Sequence, residues 1–157
     1  MKLHLLRHAK TNPISSTGND FDRELLSRGY EQIELLKSFL LQQPINPTYI
    51  LCSSAKRTEQ TLIHLKELWP KAIVQFRDEL YLASKLEILK EICKIDHEGD
   101  ILVVGHNEGL SELGVYLSNQ DTWLKTCGFL SLEFNFENSA FISKGMANTL
   151  ASFRVEK

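Results

Sequence analysis

The sequence predicts an α/β chain: a three-layer α/β/α sandwich around a mainly parallel sheet, with an antiparallel strand or hairpin added near the C-terminus. Three observations carry this. Short apolar runs alternate four times with segments whose apolar residues recur at helical spacing. After residue 129 the period changes to two and strands dominate. The 157 residues, 43% of them hydrophobic, suit one domain over 1–157 with a substantial core, and no linker or repeat divides them.

The elements follow in order. Lys2 to Leu6 is the first buried strand, and Asn12 to Glu24, with Pro13, Gly18 and two Asp, is a loop. Tyr30, Ile33, Leu36, Phe39 and Leu40 mark a helix closed by Pro44 and Pro47. Tyr49 to Cys52 is the second strand. Ser53 or Ser54 is placed to cap the next helix, whose apolar side carries Leu62, Leu65 and Leu68 before Pro70. Ala72 to Phe76 is the third strand. Ser84 and Glu87 form a capping box opening a helix with Leu86, Leu89, Ile92 and Cys93 inward. Ile101 to Val104 is the fourth strand, and Asn107 caps a helix through Leu110, Leu113 and Leu117. Leu130, Leu132, Phe134 and Phe136 alternate with polar residues, as in a strand with one covered face. Glu137-Asn138-Ser139 is a turn before Ala140 to Ile142, and Leu150 to Val155 is a last edge strand.

Composition narrows the function classes. A net charge of -2 argues against a nucleic-acid-binding protein, while leaving room for a local basic pocket. No run is apolar and long enough to span a bilayer, and a strand beginning at residue 2 leaves no room for a signal peptide, so a cytoplasmic location is the expectation. Cys52, Cys93 and Cys127 lack zinc-ligand spacing and read as reduced core thiols. No G-x-G-x-x-G or G-x-x-x-x-G-K-[ST] follows the first strand, which weighs against a dinucleotide or nucleoside-triphosphate binder.

The chemistry gathers at strand ends. In open α/β sheets ligands bind beyond the carboxyl ends of the strands. The first strand ends in Arg7-His8, the second leads into a helix carrying Arg57 in its first turn, and the fourth ends in Gly105-His106-Asn107. Taken singly, Arg7 and Arg57 read as solvated ion-pair residues and His8 as an idle strand-end histidine. Together they bring two arginines, two histidines and helix N-termini to one edge, an arrangement suited to a dianionic phosphoryl group.

These segments resemble a known family. R-H-A-K at residues 7–10, S-S-A-K-R-T-E-Q-T at 53–61 and V-V-G-H-N-E-G-L at 103–110 are similar to the three signatures of the histidine phosphatase (phosphoglycerate mutase-like, RHG) superfamily. Alanine after the histidine, the short chain and L-Y-L-A-S at 80–84 look most like its small phosphohistidine phosphatase, SixA-type, branch. The likeness runs in good order from Met1 to about Leu117. It implies a metal-independent phosphatase, with His8 attacking phosphorus to give a covalent phosphohistidine. Arg7, Arg57 and His106 would hold the non-bridging oxygens, with Asn107 beside them. The arginines supply the charge, so no metal or other cofactor is called for.

The proton donor is left open between Asp78 and Glu79, which stand after the third strand where many members of the superfamily carry an acid. Arg23, in D-R-E-L-L-S-R-G at 22–29, is a substrate-binding candidate, with a surface salt bridge as the alternative. The chain departs from the family pattern twice. Leu26 stands where a Ser or Thr cap is common, leaving Ser27 to cap, and Glu108 replaces a frequent proline. His4 reads as a packed or edge residue of the first strand, His64 and His97 have no partner at ligand spacing, and Trp69 and Trp123 read as packing residues.

The implied partner is a phosphorylated protein, such as a histidine phosphotransfer domain, in signal transduction. A small phosphorylated metabolite is the alternative substrate, and a phosphate- or phosphopeptide-binding module without catalysis is the reading from another class. Neither nucleic acid nor membrane is expected as a partner.

Overall fold

The computed structural model describes residues 1–155. Six strands form one sheet: β1 (Lys2–Arg7), β2 (Pro47–Ser53), β3 (Ile73–Arg77), β4 (Asp100–Gly105), β5 (Phe129–Glu133) and β6 (Asn148–Phe153). Their order is β3-β2-β4-β1-β5-β6. The first four are mutually parallel, β5 is antiparallel to β1, and β6 is antiparallel to β5. The fold is the mainly parallel α/β sheet with a C-terminal antiparallel addition that the sequence predicts.

The helices are α1 (Ser27–Gln42), α2 (Lys56–Ile63), α3 (Lys85–Cys93) and α4 (Gly109–Ser118). Alternation of side chains along each strand splits the core into two halves. Leu3, Leu5, Leu51 and Val103 face one way, against Ile88 and Ile92 of α3 and Leu110, Leu113 and Leu117 of α4. Leu6, Ile50, Cys52, Leu102 and Val104 face the other way, against Ile33, Leu36 and Leu40 of α1 and Leu62 of α2. Each face of the sheet thus carries a pair of helices, the three layers of the sandwich.

Register brings the reactive strand ends together. Leu6 lies beside Val104 and Val104 beside Cys52, so β1, β4 and β2 terminate at the same edge. His8, His106 and the segment leading to Arg57 leave the sheet there.

Several local details differ from the sequence expectation. Ala55 caps α2 through its backbone alone, and the Ser53 hydroxyl is engaged elsewhere. Helix α2 ends at Ile63; Leu65 is buried beyond it and Leu68 lies in a short 3-10 turn, Lys66–Leu68. Leu26 rather than Ser27 is the N-cap of α1 and makes no side-chain bond. The first turn of α1 instead receives the Lys10 carbonyl, which accepts from Leu26 N–H at 3.0 Å. A Cβ on Gly29 would lie 2.3 Å from that oxygen, so only glycine fits.

Ser84 does accept from Glu87 N–H at 3.3 Å, but Leu86 is exposed and Ile88 takes the inward place. Glu108, not Asn107, is the N-cap of α4. Strand β5 is covered on both faces, because Ser131 is buried against His4 Nδ1 at 2.9 Å. Beyond β5, residues 140–142 form no strand, and Ser139–Phe141 is a 3-10 turn. Trp69 packs inside, whereas Trp123 is exposed. Cys52 and Cys127 are buried and Cys93 half-buried, all as free thiols. No helix among the described residues is long and apolar enough to cross a membrane.

Candidate active site

A cleft of about 550 Å³ opens at the carboxyl edge of the sheet, and Arg7, His8, Arg23, Arg57, His106 and Asn107 all contribute to its lining. Lys10, Thr11 and Asp20 line it as well. A groove of similar size, about 600 Å³, runs along residues 120–124 and β6, but contains none of these residues.

His8 is held from both sides of its backbone. Its N–H donates to Gly105 O at 3.1 Å, and its carbonyl accepts from Cys127 N–H at 2.9 Å. The imidazole Nδ1 lies 2.8 Å from Ala9 O. A carbonyl only accepts, so Nδ1 carries the proton and Nε2 keeps its lone pair. Burial first, and then the charges of Arg57, Arg7 and Arg23, push the His8 pKa down to about 3. The ring is therefore a neutral, oriented base whose free nitrogen is Nε2.

The His106 ring centroid is 5.4 Å from that of His8. Its pKa is likewise pushed down to about 3 by burial, with His8 and Arg57 adding to the effect. Two arginines complete the cluster. Arg7 Nη1 donates to Leu124 O at 3.1 Å. Arg57, nearly fully buried in the first turn of α2, donates through Nη1 to Asp20 O at 2.8 Å and through Nη2 to the Asp20 carboxylate at 3.0 Å. Three buried nitrogens of this cluster, Arg7 Nε, Arg57 Nε and His106 Nδ1, have no hydrogen-bond partner. Buried polar atoms without partners are costly, and the three residues that carry them all line the cleft.

Arg23 both lines the cleft and forms a salt bridge, donating through Nη1 to Asp20 at 2.9 Å and through Nη2 to Thr11. Asn107 is committed to the protein at both ends of its amide. Nδ2 donates to Leu124 O at 2.7 Å, and Oδ1 accepts from the Ser111 hydroxyl at 2.8 Å. It braces the turn that also accepts from Arg7. Asp78 and Glu79 lie in the 3-10 turn after β3, exposed, and neither lines the cleft.

The carboxylate present in the cleft is Asp20, which the sequence reading passed over as a loop residue. It sits in a 3-10 turn, Asp20–Asp22, and accepts from the Tyr81 hydroxyl as well as from both arginines. Tyr81 above all, then Arg23 and Arg57, hold its pKa well below the usual carboxylate range. Tyr81 also stands edge-on to His106 at 5.5 Å and to Phe21 at 5.0 Å. The i,i+3 spacing of Asp20 and Arg23 was the one available signal, and it does not say which way a loop folds. Among the described residues no group of three or more His, Cys, Asp or Glu is placed to hold a metal ion.

Comparison with known proteins gives this geometry a family. The model of the histidine phosphatase superfamily (branch 1) matches residues 3–81. The chain belongs to the histidine phosphatase superfamily. A relative in Mycobacterium tuberculosis, the uncharacterized protein Rv1276c, is 31% identical over 115 residues, spanning 73% of this chain and 70% of the relative. A protein assigned as phosphohistidine phosphatase SixA in Nakamurella multipartitia superposes with a TM-score of 0.82 at 26% identity, covering 99% of this chain and 96% of that one. The protein histidine phosphatase SixA complexed with tungstate superposes at 0.80 with 17% identity, covering 97% and 96%. The histidine phosphatase chain described here therefore has the SixA-type architecture.

Proposed function

We propose that the protein is a metal-independent phosphatase that uses His8 as nucleophile and acts on protein phosphohistidine. The observation that carries this reading is the His8 imidazole, neutral and fixed by the Ala9 carbonyl with Nε2 free, in a cleft of arginines. Nε2 attacks phosphorus, a bond from phosphorus to His8 forms, and the bond to the leaving group breaks. Arg7, Arg57 and His106 stabilise the charge on the non-bridging oxygens. Water then attacks the phospho-enzyme, releasing phosphate and restoring His8.

Phosphohistidine is favoured over phosphomonoesters by the state of the cleft carboxylate. An alkoxide leaving group needs a strong proton donor, whereas an imidazole departs once solvent has protonated its other nitrogen. Asp20 is held ionised by Tyr81 and two arginines, so it has no proton to give. The SixA phosphatase of the same fold forms a complex with tungstate, a tetrahedral oxyanion, which supports this reading. The partner in this reading is a phosphorylated signalling protein, such as a histidine phosphotransfer domain, in the cytoplasm.

The test is phosphate release from a phosphorylated histidine phosphotransfer protein beside a panel of sugar phosphates. Release from the protein, lost in His8→Ala, is expected, with acid-labile, base-stable phosphate trapped on His8. Faster release from sugar phosphates would move the assignment to small phosphomonoesters, and tight phosphoprotein binding without release would make the chain a binding module.

A further inference from the structure

Ser53 is the last residue of β2, fully buried, and adjoins the cleft without lining it. Its Oγ lies 2.8 Å from His106 Nε2 and accepts from Ala55 N–H at 3.3 Å. The hydroxyl has one proton to place. With the amide of Ala55 already donating to the oxygen, the partner for that proton is the imidazole nitrogen. An O–H that donates to Nε2 needs a lone pair there, which puts the ring proton on Nδ1. Nδ1 is the buried nitrogen that no protein group satisfies.

We propose that Ser53 is a positioning residue that holds His106 in the Nδ1–H tautomer, so that a neutral imidazole presents a hydrogen-bond donor to the phosphoryl oxygens. The two histidines then share a protonation pattern for opposite purposes. On His8 the proton on Nδ1 leaves Nε2 free to attack. On His106 the serine occupies Nε2 and leaves Nδ1–H to donate. Without that bond a neutral ring would be free to place its lone pair toward the substrate oxygens, and lone pair would face lone pair. This inference rests on the proposed phosphatase reading only for its catalytic consequence.

Nitrogen-15 NMR of the histidine side chains tests the tautomer directly in the wild-type protein near pH 7, with the His106 signals assigned by their loss in His106→Gln. The expected spectrum has a pyrrole-type Nδ1 and a pyridine-type Nε2 for His106. A pyrrole-type Nε2, or an imidazolium, overturns the proposal without any Ser53 variant. In Ser53→Ala a substantial Nε2–H population is expected, with kcat lowered about ten-fold and KM changed less than two-fold. A Ser53→Ala protein with an unchanged tautomer refutes the role even if its activity falls, since lost packing alone does not move a proton. If the wild-type enzyme releases no phosphate, the proposed function fails while the NMR result stands by itself.

Discussion

Asp20 grips Arg57 by both arms of the guanidinium: the backbone carbonyl takes Nη1 at 2.8 Å and the carboxylate takes Nη2 at 3.0 Å. The first contact is neutral and leaves the arginine's charge intact. The second places a negative charge beside the group that, in the proposed mechanism, attracts a phosphoryl dianion. A loop residue thereby both orients Arg57 and lowers the positive potential of the cleft.

Replacing Asp20 by Asn keeps the backbone contact and an acceptor oxygen but removes the charge. Inorganic phosphate should then bind about three- to ten-fold more tightly, on the order of 1 kcal/mol, as expected for one charge removed from a partly solvated site. Competitive inhibition by phosphate at fixed ionic strength measures this. Weaker inhibition would mean that immobilising Arg57 outweighs the repulsion.

Asp78→Asn and Glu79→Gln should leave kcat/KM within about two-fold, because both side chains are exposed and outside the cleft lining. Steady-state rates on the phosphoprotein check this. A loss of a hundred-fold in either variant, the scale of a lost general acid, would return the proton donor to this turn.

Mild acid should destabilise the protein. His4, His8 and His106 are buried with pKa values lowered to about 4, 3 and 3, by burial before any other cause. Between those values and about 6.5, the unfolded chain binds protons that the folded chain refuses, so stability rises with pH across this window. Stability is complete above about pH 6.5 and declines as the pH falls. The loss should be on the order of 2 kcal/mol per histidine by pH 5. Asp20, also depressed, adds to the loss only below the ordinary carboxylate range. Urea unfolding at pH 7 and pH 5 reads the difference, and equal midpoints would contradict three neutral buried imidazoles.

Gly109→Ala should damage both stability and activity. A Cβ at the first residue of α4 would lie 2.0 Å from Ala83 O, a backbone atom that cannot swing aside. Helix α4 must shift, and His106 is three residues upstream. A destabilisation of about 2–3 kcal/mol is expected, read as a lower thermal midpoint together with weaker phosphate inhibition. Gly105→Ala is the contrast: its Cβ would meet Leu110 side-chain atoms at 3.6 Å and beyond, so a much smaller effect is expected.

The sequence by itself determined the layered α/β architecture, since apolar periodicity is local and each strand run is bounded by turn residues. It also singled out Arg7, His8, Arg57 and His106, because residues at the carboxyl ends of neighbouring parallel strands share one edge whatever the details of the loops. Element boundaries and caps escaped it. Ser53 reads equally well as a helix cap or as a partner for a histidine 53 residues away, and only the placement of β4 beside β2 decides which. Asp20, Tyr81 and the exclusion of Asp78 and Glu79 from the cleft were likewise decided by tertiary structure. The path of residues 12–24 over the site depends on contacts with Arg57 and Tyr81, which are distant along the chain. Periodicity encodes which face of an element is buried; it carries no information about which distant side chain a polar loop residue will meet.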